Sequence, residues 1–166
     1  MKLNLSEHTC YCYTGARALE PGRPTVVFIH GAGHDHSVWT LQTRYFASHG
    51  WNVVAPDLPG HGCSGGPALA SIEALADWVL ALLGALGVEQ AMLVGHSMGG
   101  MVALQAAAAH PERVAGLVLA CCTPAFGASA GPLQQAFLAK RLGPLDEGAS
   151  MRELAIDLIP GMVGPG

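Results

Sequence analysis

The chain has 166 residues, 51% of them hydrophobic and 12% charged, and carries a net charge of −4. That balance supports one globular domain with a real core and excludes disorder. Its 8 Lys and Arg are scattered and form no basic stripe, so nucleic acid is excluded as a partner.

From Met1 to His8 polar and apolar residues alternate without a continuous apolar segment, so no secretory signal is read there. Apolar stretches such as Val114 to Cys122 are too short to cross a bilayer. A soluble cytoplasmic protein with no membrane partner is expected. Five cysteines fit that compartment: Cys10 and Cys12 sit two apart on one face of a predicted strand, Cys63 lies in a glycine loop, and Cys121 and Cys122 close another strand. An odd count with no metal-ligand spacing argues against a disulfide framework and against a metal site.

Leu3 to Leu5 and Thr9 to Tyr13 predict an antiparallel hairpin at a sheet edge, followed by turns at Gly15 and Pro21-Gly22. Four short apolar runs follow, Thr25 to Gly31, Trp51 to Pro56, Gln90 to Gly95 and Val114 to Cys121. Continuous apolar runs imply strands covered on both faces, as in a parallel sheet between helices. Helices are predicted between them, over roughly Ser37 to His49, Ser71 to Leu86 and Met98 to Ala109. The second carries an apolar stripe of Ile72, Leu75, Val79, Leu82, Leu83 and Leu86, with Ser71 to cap it and Gly87 to end it. The third is nearly all small residues, suits close approach to the sheet, and stops at Pro111. Strand and helix therefore alternate as in an α/β doubly wound, mostly parallel sheet.

After Cys122 the pattern changes. Thr123 to Pro132 is rich in Gly, Ala, Ser and Pro, and two helices without strands follow. One runs from Leu133 to Leu142 and ends before Gly143-Pro144; the other opens on the capping-box spacing of Ser150 and Glu153 and ends at Pro160-Gly161. Residues 1–125 are expected to be the core and 126–166 the start of a helical lid.

The most informative segment is Met92 to Gly100, where an apolar run ends at Ser97 hemmed in by Gly95 and Gly99. A serine on a sharp strand-to-helix turn has its hydroxyl pushed out of the sheet, and small residues are needed where a Cβ would clash. In an open α/β sheet, ligands bind beyond the carboxyl ends of the strands. Two strand ends carry this punctuation here: Ser97 closes one and His30-Gly31-Ala32-Gly33-His34-Asp35 the other. Attack on a carbonyl makes an oxyanion, and the natural donors for it are the N–H groups of Met98 and Ala32, with Gly31 and Gly33 letting the loop approach.

Those two segments, with Asp57-Leu58-Pro59-Gly60-His61-Gly62-Cys63-Ser64, resemble the α/β-hydrolase superfamily, in particular its lid-bearing esterases, enol-lactonases and carbon–carbon bond hydrolases. The resemblance spans about Val26 to Cys122. It implies that Ser97 is the nucleophile, that Met98 and Ala32 supply the oxyanion hole, and that no cofactor is required. It also implies two further strands carrying a catalytic acid and histidine, in the order serine, acid, histidine. After Ser97 the one histidine is His110, before Pro111 at a helix end, and Glu112, Asp146, Glu147, Glu153 and Asp157 fall at a helix end or in the lid. The chain is therefore expected to be a fragment of a longer serine hydrolase acting on a small carboxylic ester, lactone or related carbonyl, and to be inactive or very weak alone. Two alternatives stay open: a non-catalytic module binding an acyl ligand or partner chain, and perhydrolase or haloperoxidase-type chemistry.

Competing structural readings accompany the other residues. Ser97 could be an ordinary helix N-cap. His96 is expected to be packed and hydrogen-bonded rather than a base, and His30 to brace the glycine loop. Asp57 is expected to brace its own loop. His34, Asp35 and His36 line the pocket mouth or a solvated loop, and no metal is assigned to them. Phe137, Leu138, Met151, Leu154, Ile159 and Met162 either form an acyl pocket or simply pack. The Gly60 to Gly66 loop lacks the lysine of a phosphate-binding loop.

Overall fold

A computed structural model describes residues 1–5, 7–124 and 131–161. Met162 and much of the predicted 123–132 linker fall outside them. The chain divides into two compact units at Pro124, the second described over residues 131–161.

The first unit is a six-stranded sheet. Its strands are β1 (Lys2–Leu5), β2 (His8–Tyr13), β3 (Thr25–Ile29), β4 (Asn52–Pro56), β5 (Ala91–His96) and β6 (Val114–Ala120), in the spatial order β1-β2-β4-β3-β5-β6. The β1 and β2 strands form the expected antiparallel hairpin, and β2 lies antiparallel to β4, with Cys12 opposite Pro56. The other pairings, β4 with β3, β3 with β5 and β5 with β6, are parallel.

Helices α1 (Thr40–Ser48), α2 (Ile72–Ala85) and α3 (Met98–Ala109) cross between the parallel strands. Strand β3 shows why its sequence reads as continuous apolar: all five residues are buried. Val26 and Phe28 face one cluster with Trp39, Ala47 and Val53, on the α1 side. Val27 and Ile29 face the other, with Leu75, Val79 and Leu83 of α2 and Val102 and Ala106 of α3. Each such side chain removed from water contributes roughly 1.5–3 kcal/mol, so two-sided burial fixes β3 at the centre.

Local signals set the helix ends. The Ser71 hydroxyl accepts from the Ala74 N–H at 3.1 Å, and Gly87 takes φ 67° just past α2, where a left-handed residue ends a helix. Inside α2, Gly84 is exposed and a methyl group there would meet no atom within 4 Å. Gly84→Ala is accordingly expected to stabilise the protein by about 0.5–1 kcal/mol, as thermal unfolding followed by circular dichroism would show.

Two expectations are corrected. The helix predicted to end before Gly143-Pro144 continues as α4 (Pro132–Asp146), with Pro144 inside it. A proline in the last turn removes one hydrogen bond only, and the carbonyls of Gly143 and Pro144 still accept from Glu147 and Ala149. Strand β6 is not covered on both faces: among the described residues it pairs with β5 alone, and Val118 and Leu119 are 46% and 42% exposed. The second unit also holds α5 (Met151–Leu158), which starts at the predicted capping box; Ser150 Oγ accepts from the Glu153 N–H while Glu153 Oε2 accepts from the Ser150 N–H at 2.8 Å. No helix among the described residues is long and apolar enough to cross a membrane.

Candidate active site

Strand β3 has β4 on one side and β5 on the other, so successive crossovers leave it in opposite directions. The crevice of a doubly wound sheet opens at that switch point, beyond the carboxyl ends of β3 and β5. Those ends carry the Gly31–His34 turn and Ser97.

Ser97 is half-buried between β5 and α3, with φ 54° and ψ −120°. Few L-residues adopt such angles, at a cost of roughly 1–3 kcal/mol, and surrounding contacts must hold them. They do: the Ser97 N–H donates to Ala120 O at 2.9 Å, and Ser97 O accepts from Gly100 N–H at 2.9 Å. A Cβ at Gly95 would run into the Gly99 carbonyl, and one at Gly99 into the carbonyls of Ile29 and His30. The two glycines thus serve different contacts, Gly95 within the elbow and Gly99 against β3. The hydroxyl makes no cap bond to the helix. Ser97 occupies the N-cap position without capping, which removes the ordinary explanation of a serine there.

The second strand end is a turn closed by the His34 N–H donating to Gly31 O at 3.2 Å, with Gly33 at φ 72° in its third position. A left-handed residue at that position is the type II requirement. A Cβ on Gly31 would lie 3.2 Å from Ser97 Cβ, so loop and elbow are in contact. Ala32 is exposed, and among the described residues neither its N–H nor that of Met98 has a backbone acceptor. The first N–H groups of any helix lack an internal partner, which leaves Met98 free to receive a ligand oxygen.

Buried histidine chemistry holds the loop. His30 is fully buried; its Nδ1 donates to Gly31 O at 2.8 Å, and its Nε2 accepts from the Leu58 N–H at 3.0 Å. This pattern needs the neutral ring, and burial pushes the His30 pKa below its ordinary value. Above about pH 6.5 neither state protonates His30, whereas below it the unfolded chain takes up the proton first, so this stability is lost as pH falls. His30→Gln is expected to flatten the decline of unfolding temperature between about pH 7.5 and 5.5, the effect being at most about 1.4 kcal/mol per pH unit.

Asp57 at the end of β4 is completely buried. One carboxylate oxygen accepts from the His36 N–H at 2.7 Å and faces His36 Nδ1 at 2.8 Å; the other accepts from the Cys63 N–H at 2.8 Å. Asp57 therefore ties its own loop to the segment after the Gly31–His34 turn, a wider brace than its sequence context suggested. Asp35, His36 and Asp57 each offer a ligand atom within 4.8 Å of one another. Those atoms are already committed, since N–H groups occupy both Asp57 oxygens and Asp35 Oδ1 accepts from the Ser37 N–H at 2.8 Å. The donor set solvates an anion rather than a cation.

No described residue hydrogen-bonds the Ser97 hydroxyl. The His96 ring lies edge-on to Trp39 at 6.5 Å and 5.8 Å from that of His34, and its expected hydrogen bond is absent among the described residues. His110 is the C-cap of α3, about 18 Å of helix from Ser97. Sequence reasoning missed two neighbours of the elbow. Trp39, 9% exposed, leaves its indole N–H without a partner among the described residues. Cys121, next to the Ala120 carbonyl that holds Ser97, takes φ 51°. A bulky apolar residue after the glycine loop and a residue ending a strand beside the elbow were the available signals.

Residues 24–143 match the family described as alpha/beta hydrolase fold. The chain is 43% identical over 103 residues to a pimeloyl-[acyl-carrier protein] methyl ester esterase of Klebsiella pneumoniae, covering 62% of this chain and 38% of that one. It is 44% identical over 100 residues to the dihydrolipoyllysine-residue acetyltransferase component of an acetoin cleaving system of Cupriavidus necator, covering 59% and 26%. Among solved structures, a hydrolase of Pseudomonas aeruginosa superposes with TM-score 0.76 at 26% identity, covering 96% of this chain and 57% of that one. The chain thus spans less than two fifths of the length of these curated relatives. With the elbow, the glycine turn and the strand order in place, the family match is decisive, and the chain belongs to the α/β-hydrolase fold family.

Proposed function

We propose that this protein hydrolyses a small carboxylic ester, lactone or related carbonyl compound through an acyl-enzyme on Ser97. The observation that carries the reading is the strained Ser97 backbone, φ 54°, at the carboxyl end of β5, with a hydroxyl that makes no cap bond to the following helix. Ser97 Oγ attacks the carbonyl carbon, and the developing oxyanion is held by the N–H groups of Ala32 and Met98. Removing one such donor costs roughly 2.7–4 kcal/mol in comparable sites. The esterase name of the Klebsiella relative supports an ester as the substrate class. Water releases the acyl group, and no cofactor enters.

A serine hydroxyl needs a base, and none of the described residues hydrogen-bonds to it. The reading therefore assigns the acid and the histidine to residues other than those described. A second reading, an acyl-binding module without turnover, takes its support from the same observation. One experiment separates them: a fluorophosphonate probe applied to the protein expressed from its own reading frame. Labelling that disappears in Ser97→Ala supports the enzyme; labelling unchanged by Ser97→Ala sinks the assignment, and no labelling of either form favours the binding module.

A further inference from the structure

The five cysteine sulfurs of this chain sit in different surroundings. Cys63 and Cys121 are exposed and Cys122 is half-buried. Cys10 and Cys12, on the inner face of β2, are 1% and 0% exposed, with their Sγ atoms 3.5 Å apart. Residues two apart in a strand share a face, with Cα atoms about 6.6 Å apart, so sulfurs in contact mean that both side chains lean toward each other. We propose that Cys10 and Cys12 form an oxidisable dithiol, closed by a small hydroperoxide into a disulfide within one strand, with Cys10 reacting first.

Two further observations argue for it. Cys10 forms part of the wall of a cavity of about 220 Å³ beneath the hairpin, lined also by Leu5, Pro59, Pro67, Leu69 and Trp78. A water molecule occupies about 30 Å³ of liquid, so the cavity has room for a hydroperoxide. The thiols are also unequal. The contact with Cys12 holds the Cys10 thiol below its usual range, and the same contact, reinforced by burial, pushes Cys12 far above it. Of the two, Cys10 is the one on the cavity wall, so it is assigned the first attack and Cys12 the second.

The chemistry balances. The Cys10 thiolate takes the terminal oxygen of the hydroperoxide as the O–O bond breaks; the departing alkoxide takes the proton Cys10 gave up, leaving an alcohol and a sulfenic acid. The Cys12 sulfur then attacks Cys10 Sγ, the S–S bond forms, the S–O bond breaks, and hydroxide leaves as water with the Cys12 proton. Two thiols lose two hydrogens and one hydroperoxide is reduced.

The product is coupled to the brace described above. A Cα separation of about 6.6 Å is at the upper end of the range that disulfides span, roughly 4.4–6.8 Å, so β2 must contract around Tyr11. Tyr11 O accepts from the Asp57 N–H at 2.9 Å, and the Tyr11 N–H donates to Ser64 Oγ at 2.9 Å. Oxidation therefore pulls on the corner that Asp57 shares with His36. A disulfide closed under such strain is readily reduced.

Peptide mapping tests this on the intact chain. After hydroperoxide treatment, denaturation, alkylation and trypsin, the peptide Leu3–Arg17 holds Cys10 and Cys12 and no other cysteine; Cys63 and the Cys121-Cys122 pair fall in other peptides. The expected result is a Leu3–Arg17 peptide lighter by two hydrogens and unalkylated, reverting to two alkylated cysteines when dithiothreitol precedes alkylation. In Cys12→Ser, Cys10 is expected to stop at a sulfenic acid trapped by dimedone. Recovery of Leu3–Arg17 with both cysteines alkylated while Cys63 and Cys121 are consumed would overturn the proposal, as would irreversible gain of oxygen at Cys10 without the linked form in the unsubstituted chain.

Discussion

Replacing Ala32 by proline is expected to lower the turnover of a short-chain nitrophenyl ester about 10²–10³-fold, the loss of one oxyanion donor, while barely moving the unfolding temperature. The substitution is chosen because the turn can accept it. Ala32 is the second residue of the turn closed between Gly31 and His34, and that position favours the fixed φ of proline. Gly31, the residue before the new proline, has no Cβ to clash with the ring. Ala32 is exposed and its N–H has no backbone acceptor among the described residues, so the fold loses no hydrogen bond. An exposed change of this kind alters stability by about 0.5 kcal/mol or less, roughly one to two degrees for a chain of this size. A donor used in the transition state differs from a bystander in one measurable way: kcat falls more than KM rises. Unchanged kcat in Ala32→Pro would mean that the loop N–H faces no oxyanion and that the pairing of Ala32 with Met98 is wrong. The measurement is a steady-state rate on the protein expressed from its own reading frame, beside Ala32→Gly, which keeps the N–H.

What could be read in the sequence divides along the range of the interactions. Two-sided burial writes itself as the unbroken runs of β3 and β4, and the cap of α2 is carried by Ser71 three residues before its donor. The elbow is legible for the same reason, since its glycines and serine act within a few residues of chain. Even there, the sequence could not say that Gly99 meets β3 while Gly95 meets α3. The His36–Asp57 clamp was out of reach, because its partners are 21 residues apart and the pairing exists only once β3 and β4 are neighbours. The bracing role of His30 is legible beside Gly31, but its partner Leu58 lies 28 residues away and has no local signal. The run past Gly143-Pro144 misled because the helix rule for proline applies to interiors, and a last turn has few bonds left to lose. Burial of β6 misled differently: its apolar residues suit a covered strand, yet coverage depends on a neighbour, not on the strand itself.

The largest stability effect is expected at Gly99, where alanine should destabilise the protein by about 3 kcal/mol or more, lowering the unfolding temperature by roughly 6–12 °C. Two effects oppose each other at this position. Alanine is the better helix former by about 1 kcal/mol, and Gly99 lies in the first turn of α3, so propensity alone predicts a gain. Against it stands a Cβ placed on the carbonyls of Ile29 and His30, the latter at 2.5 Å, far inside van der Waals contact. Those are backbone atoms of the central strand and its end, buried on both faces and bonded to neighbours on either side, so they have no rotamer to give. Relief would require α3 to lift off the sheet. That would open the apolar contacts of Val102, Ala103 and Ala106, all at 0% exposure, and drag Ser97 away from the Ala120 carbonyl. Overpacking against side chains costs roughly 1–3 kcal/mol, and a rigid backbone belongs at or above the top of that range, which outweighs the propensity gain. The same substitution at Gly84, in open space on α2, isolates the propensity term with the opposite sign. If Gly99→Ala unfolds within two degrees or so of the unsubstituted chain, the close seating of α3 on β3 that holds Ser97 at its left-handed φ is not what fixes the elbow.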